Sequence, residues 1–182
     1  MADCLSRSAR PYGRVDPGRA ADRSGYWENE PVQISAKTDY AVRALLMLAS
    51  KSPELVKVDV LIAQQDLPRK FVEAILSELR RAGLVRSQRG ADGGYALARP
   101  ADQITIGSVI RVVDGPLAEV RGLRPHETAY TGVAEHLPTV WVAMRHSLRM
   151  VLDETTLQDV LTGELPASVR AMAEAPDAWL AR

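Results

Sequence analysis

Residues 68–100 read PRKFVEAILSELRRAGLVRSQRGADGGYALARP, and they show the clearest secondary-structure pattern of the chain. Pro68 suits the first position of a helix, and Gly83 is a natural residue just past a helix end. The helix between them has one apolar face, which we expect to be buried: Phe71, Ile75, Leu76, Leu79 and Ala82. The glycines within 90–94 supply the positive φ angles that a hairpin tip requires. The stretch therefore predicts a helix over 68–82 and a β-hairpin over 84–98.

Two more helices are predicted upstream of this stretch. Ser35 can cap the first, which ends before Pro53. The second covers 59–65 and offers Val60, Leu61 and Ala63 to the core. Three short helices followed by a glycine-tipped hairpin is the element order of a winged helix-turn-helix. We expect residues 32–116 to form this domain.

A long helix is predicted further downstream, over 137–152. It carries one apolar stripe: Leu137, Val140, Trp141, Met144, Leu148, Val151 and Leu152. So small a domain has little chain to cover that stripe, and pairing with a second copy would bury it. The predicted fold class is mainly α with a small β-hairpin wing, a winged helix-turn-helix domain plus a long C-terminal dimerisation helix. We expect a linker and dimerisation helices over 117–165 and a weakly ordered tail over 166–182.

The charge of the chain is divided between its halves. The 182 residues contain 23 Lys and Arg and 23 Asp and Glu, a net charge of zero. Residues 32–100 hold 11 basic and 7 acidic side chains, whereas 101–182 hold 7 basic and 11 acidic ones. Six of the basic residues fall within 68–89. Such asymmetry is one indication of a nucleic-acid-binding half joined to a different one, and the alternative is that an excess of four charges arises by chance.

The N-terminal residues 1–31 lack a periodic apolar face and are rich in Gly, Pro, Ser and Arg. We expect a disordered arm, and Val32 is an alternative start of the native protein. No apolar run in the chain approaches the length of a membrane span, and no signal peptide is recognisable, so the cytoplasm is expected. The single cysteine, Cys4, excludes an internal disulfide.

Four motifs carry a resemblance to a known family. They are ISAKTDYAVRALL at 34–46, LRRAGLV at 79–85, RGADGGY at 89–95 and VIRVVDGP at 109–116. At these spacings the chain resembles the Rrf2 family of bacterial transcriptional regulators over 33–163. The resemblance implies binding to double-stranded DNA, a homodimer, and a recognition helix that begins at the PRKF motif.

The resemblance also implies which side chains meet DNA. Lys70 and Glu73 match positions facing the major groove, where Lys70 donates to guanine or phosphate and Glu73 accepts from cytosine N4. Arg89 matches a wing residue that enters the minor groove. Arg69 and Arg86 are expected to bind phosphates.

Lys37 and Tyr40, at the start of the first helix, are further candidates for contacts with the DNA backbone. A packing role with the hydroxyl at the surface is an equal alternative for Tyr40.

One departure from the family concerns its iron–sulfur cluster. Many members hold a cluster through three cysteines in the loop after the VDGP motif, but residues 117–126 read LAEVRGLRPH. No cofactor is therefore expected. His126, His136 and His146 are spaced too far apart for a metal site, and no catalytic motif is recognisable, so the chain is not expected to be an enzyme.

The sequence predicts a sequence-specific DNA-binding regulator, a repressor, acting as a homodimer on a pseudo-palindromic site. The alternative is a winged-helix adaptor that binds proteins and reads no DNA sequence. The irregular segment 117–136, with Arg121, Arg124, His126 and Tyr130, is the expected place for an effector, either a small molecule or a protein.

Overall fold

A computed structural model of the chain describes residues 34–65, 68–90 and 92–180. The predicted arm over 1–31, with Cys4, lies outside the described residues. The described helices are α1 (Ala36–Ser50), α2 (Val58–Gln65), α3 (Arg69–Arg81), α4 (Ile106–Val113), α5 (Leu137–Leu152), α6 (Leu157–Thr162) and α7 (Ala167–Ala173), and the strands are β1 (Val85–Gln88) and β2 (Gly94–Leu97). Three helices followed by an antiparallel hairpin confirm the predicted fold class.

Helix α1 is the centre of the core. Ser35 caps it by accepting a hydrogen bond from the Thr38 amide at 3.0 Å. Helices α3, α4 and α6 and strand β2 all pack on α1. Its fully buried side chains include Ala41, Leu45 and Leu48. Burial of each leucine contributes about 1.5–3 kcal/mol.

The buried face of α3 differs from the prediction by one position. Val72 is 1% exposed, whereas Phe71 is 56% exposed. Val72 lies on the same helical face as Ile75, Leu76 and Leu79, at spacings of three, four and seven, so the predicted placement of Phe71 was wrong. Phe71 instead packs edge-on against Tyr40, with 6.3 Å between ring centroids.

Helix α2 also buries fewer residues than predicted. Leu61 is fully buried, but Val60 and Ala63 are exposed, and the neighbour Ile62 packs against the core instead. A helix of two turns has only one narrow face to offer, and the choice of face depends on the neighbouring α1 and α3.

The wing is a two-stranded hairpin in which Val85 is paired with Leu97 and Gln88 with Gly94. A third short segment is attached to it, because Val56 and Tyr95 exchange two backbone hydrogen bonds of 2.8 Å. A Cβ atom on Gly94 would lie 2.7 Å from the Val56 carbonyl oxygen, closer than packing allows. Glycine at this position lets the wing be fixed to the segment before α2.

The C-terminal part contains more structure than predicted. Thr156 and Asp159 form a capping box at the start of α6, and Gly163 ends that helix in the left-handed conformation. Residues 166–182 were expected to be a weakly ordered tail, but 167–173 form α7, which packs against α5. The contact with α5 explains the difference, because so short a helix is not stable by itself.

Helices α4 and α5 meet at Gly107, which is buried. The Arg111 guanidinium on α4 donates two hydrogen bonds, of 2.7 and 2.8 Å, to the Asp153 carboxylate that follows α5. This pair lowers the pKa of Asp153, chiefly through the hydrogen bond from Arg111. A Cβ atom on Gly107 would overlap the Asp153 carboxylate and lie 3.1 Å from the Leu152 carbonyl oxygen.

Gly107→Ala is therefore expected to destabilise the protein by about 1–3 kcal/mol, because the new methyl group displaces Asp153 from Arg111. Chemical denaturation measures the change. Alanine is otherwise preferred over glycine inside a helix by about 0.5–1 kcal/mol. An unchanged or increased free energy of unfolding would therefore contradict this account of the α4–α5 junction.

Candidate nucleic-acid interface

Three of the predicted DNA-contacting residues lie at the exposed start of α3. Arg69 forms ion pairs with Asp59 of α2 and, at 3.3 Å, with Glu73. The Asp59 carboxylate raises the pKa of Arg69, mainly by its hydrogen bond to the guanidinium. Lys70 is exposed and forms no ion pair within the described residues. Of these side chains, Lys70 is thus the cation most available to an external anion.

A groove lies between α3 and the wing, with a cavity volume of about 560 Å³. Its basic lining residues are Lys57, Arg80 and Arg89, one from each of its sides: the segment before α2, helix α3 and the hairpin tip. Asp59 is the acidic side chain that lines it, and it is engaged by Arg69. The groove therefore carries an excess of positive charge, which suits a phosphate backbone.

The two wing arginines differ in their surroundings. Arg86 on β1 donates a hydrogen bond of 3.3 Å to the Pro53 carbonyl oxygen, which holds its side chain along the base of the hairpin. Arg89, next to the hairpin tip, is exposed and forms no hydrogen bond or ion pair with the described part of the chain. Arg89 can therefore reach outward, whereas Arg86 is partly fixed.

Lys37 and Tyr40 have partners inside the protein. The Lys37 ammonium pairs with Glu78 of α3 at 2.8 Å and donates to the Val113 carbonyl oxygen at the end of α4, at 3.1 Å. Tyr40 is half-buried against the core and contacts Phe71. Both residues thus connect α1 to α3.

Sequence reasoning missed Lys57 and Arg80 as candidate site residues. Arg80 lies on the face of α3 that contains Arg69, Glu73 and Ser77, so helical periodicity alone could have identified it. No pattern in the sequence marks Lys57 as a groove residue. It reaches the groove because the neighbouring Val56 pairs with Tyr95 of the wing, a contact that only the tertiary structure reveals.

The predicted apolar stripe of α5 is divided into two faces. Leu137, Trp141, Leu148 and Leu152 are half-buried, since α4, α7 and residues 125–127 pack against α5. Val140 and Met144 remain 56% and 39% exposed. The Trp141 Nε1 atom is buried, with no hydrogen-bond partner in the described chain. The chain itself therefore covers part of this stripe and leaves Val140 and Met144 open.

The domain has three helices followed by a hairpin, and a basic groove lies between the last of these helices and the hairpin. This is the architecture of a winged helix-turn-helix transcriptional regulator, a class that binds DNA. The sequence pattern of the Rrf2 family, described as iron-dependent transcriptional regulators, matches residues 34–163. The chain belongs to this family, as its motifs predicted.

Relatives and solved structures agree with this assignment. An HTH-type transcriptional regulator of Mycobacterium tuberculosis is 48% identical over 144 residues, 79% of this chain and 89% of the relative. The structure of CymR, the global cysteine regulator of Bacillus subtilis, superimposes with a TM-score of 0.63 and 33% identity, over 73% of this chain and 98% of CymR. IscR of T. potens gives a TM-score of 0.59 and 32% identity, over 83% and 93%.

These proteins are regulators rather than enzymes, in agreement with the sequence analysis. Within the described residues, no helix is both long and apolar enough to cross a membrane.

The position of Lys37 leads to a stability prediction. Lys37→Met keeps the aliphatic stem but removes the ammonium group, which pairs with Glu78 and donates to the Val113 carbonyl oxygen. We expect this change to lower the free energy of unfolding by about 1–2 kcal/mol. Lys51→Met is the matched control, because the exposed Lys51 has no ion pair among the described side chains. Chemical denaturation of both variants measures the difference. Unchanged stability together with weaker binding to every DNA sequence would instead make Lys37 a contact to the DNA backbone.

Proposed function

We propose that this protein is a sequence-specific repressor that binds double-stranded DNA as a homodimer through α3 and the wing. The groove between these two elements carries the proposal, because basic side chains line each of its sides. In this arrangement Lys70 and Glu73 meet base edges in the major groove, and Arg89 enters the minor groove. Arg86, Lys57 and Arg80 bind phosphates, and the protein acts in the cytoplasm.

Arg69 has a more restricted role in this proposal than the sequence suggested. Its guanidinium is held between Asp59 and Glu73, two acids that compete with phosphate. The same contact orients the Glu73 carboxylate on the exposed face of α3. Arg69 therefore positions Glu73 for base recognition and contacts phosphate only when a phosphate displaces one of the two acids.

Glu73→Ala tests base recognition. Loss of its acceptor is expected to relax the preference at one position of the binding site by about 1–3 kcal/mol, because the cytosine N4 donor loses its partner. Selection of binding sites from a random DNA library, followed by titration of the selected duplex and its single-base variants, measures the change.

The matched control for this experiment is Arg86→Ala, which should weaken binding to all duplexes alike and reduce the salt dependence. A Glu73→Ala variant that keeps the full preference of the original protein at every position would remove Glu73 from base recognition.

The proposed dimer rests on the open face of α5. The exposed Val140 and Met144 lie one turn apart, and the half-buried Val151 follows on the same side of the helix two turns later. No side chain of α5 is fully buried within the described chain. A second copy packed along this face would remove the apolar side chains from water and place two recognition helices on one side of DNA.

Met144→Glu is expected to shift the protein from dimer to monomer, because burying an unpaired carboxylate in the interface costs several kcal/mol. Met172→Glu is the matched control, since Met172 of α7 is 50% exposed and lies off this face. Sedimentation velocity at several protein concentrations measures the oligomeric state. A dimer that persists in Met144→Glu, or that is lost equally in Met172→Glu, would contradict the proposed interface.

We propose further that regulation requires no iron–sulfur cluster, although the family is described as iron-dependent. The side chains of segment 117–131 support this, because they include no thiolate donor. Its single imidazole, that of His126, is engaged by the Arg145 guanidinium at 2.9 Å. The segment therefore lacks the side chains that bind an iron–sulfur cluster through thiolates.

The competing function is an adaptor that retains the winged helix as a scaffold for proteins. Genome-wide footprinting of the native protein separates the two functions. A recurrent pseudo-palindromic motif with two half-sites is the result expected of the regulator. Binding scattered without a motif would leave the adaptor as the better account.

A further inference from the structure

A second cavity, of about 370 Å³, lies between the end of α4 and the side of α5. Its neutral lining comes from residues 115–118, which follow α4 directly. Four arginines complete it, one from α4, one from the turn before residue 125 and two from α5: Arg111, Arg124, Arg145 and Arg149. None of the described residues that line the cavity is acidic. It is separate from the groove beside the wing, with which it shares no residue.

The positive charge of this cavity is only partly neutralised. Asp153 accepts hydrogen bonds from Arg111 and, at 3.3 Å, from Arg149. The Arg145 guanidinium lies 2.9 Å from the His126 Nδ1 atom, and an imidazole contributes no negative charge to the cavity. Arg124 forms no ion pair within the described residues. Among the described side chains, Asp153 is thus the carboxylate that forms ion pairs with these four arginines, and it pairs with two of them.

We propose that this cavity binds a small molecule with at least two negative charges, carried by phosphate or carboxylate groups. The planar fork of a guanidinium matches the oxygen pairs of both groups, and several arginines around one space recognise such ligands well. Like charges so close together repel each other unless an anion lies between them. Pro116, Leu117 and Ala118 leave room for a short apolar part of the ligand.

The same cavity is connected to the recognition helix through hydrogen bonds. Asp114, at the end of α4, accepts from the Ser35 and Thr38 hydroxyls at 2.6 and 2.7 Å. Lys37 links the preceding carbonyl group, of Val113, to Glu78 of α3. A ligand that draws Arg111 away from Asp153 would move the end of α4 and, through α1, the helix that binds DNA. The ligand is therefore a proposed effector of DNA affinity, a step that depends on the function proposed above.

Calorimetric titration of the full chain tests the site without DNA, at constant ionic strength. Inorganic pyrophosphate and citrate are the two probes and distinguish phosphate from carboxylate ligands, and glucose is the neutral control. At least one of the two anions is expected to bind, and the double variant Arg124→Gln/Arg145→Gln should weaken that binding at least tenfold. These two arginines hold no carboxylate, so their replacement leaves the Arg111–Asp153 pair in place.

Two single variants locate the bound anion. Arg170→Gln, on α7 and outside both cavities, should bind as the original protein does. Arg89→Gln, in the groove beside the wing, should also bind unchanged. Failure of both anions to bind, equal binding by the double variant, or a loss confined to Arg89→Gln would each overturn the proposed site.

The DNA step is measured separately, by titrating a selected duplex with and without the bound anion. The dissociation constant for DNA is expected to change at least threefold in the original protein and to stay constant in the double variant. An anion that binds without changing DNA affinity would overturn the effector role. A double variant that loses DNA affinity without any anion would make these arginines DNA contacts and overturn the proposal. If the protein selects no DNA sequence, the proposed function is wrong. The calorimetric titration still shows whether the cavity binds an anion.

Discussion

Helix α3 packs on α1 through apolar side chains, and this contact positions the other elements of the domain. Ala41, Leu45 and Leu48 of α1 are fully buried, and Val72 and Leu76 of α3 are buried with them. This contact fixes the side of α3 that points away from the core, and so it fixes which side chains reach the groove. The Lys37–Glu78 ion pair adds a polar connection at the edge of the same contact. The orientation of α3 is therefore set by apolar burial, and its charged residues occupy the side that remains exposed.

Charge follows this division of the fold. The net charge of zero conceals a basic half, residues 32–100, and an acidic half, residues 101–182. Three basic side chains of the first half, Lys57, Arg80 and Arg89, line the groove between α3 and the wing. Within the acidic half, however, four arginines gather around a second cavity next to α5. Counting charges along the sequence hides these arginines, because acidic residues lie between them in the chain. In the folded protein the four arginines line one cavity together.

Much of the fold could be predicted from local pattern. Ser35, Gly83 and the Thr156–Asp159 box mark helix ends through contacts within a few residues, so their signals are visible in the sequence. The placement of Phe71 was wrong because an apolar residue at the start of a helix can turn toward the core or lie against a neighbour. That neighbour is Tyr40, 31 positions earlier in the chain, and the pattern of residues around Phe71 cannot predict a contact over such a distance in sequence. Helix α7 was missed for a similar reason, since α5 stabilises it.

By itself, the sequence determined the winged helix-turn-helix, the family and the absence of cysteine from the loop after α4, because motifs and composition are properties of neighbouring residues. Only the tertiary structure decided that Lys57 joins Arg80 and Arg89 in one groove, and that Lys37 is held by Glu78. It also decided that four arginines scattered over 111–149 surround one cavity. Charges act through space, with an energy that depends on distance and on the surrounding solvent, and folding sets both.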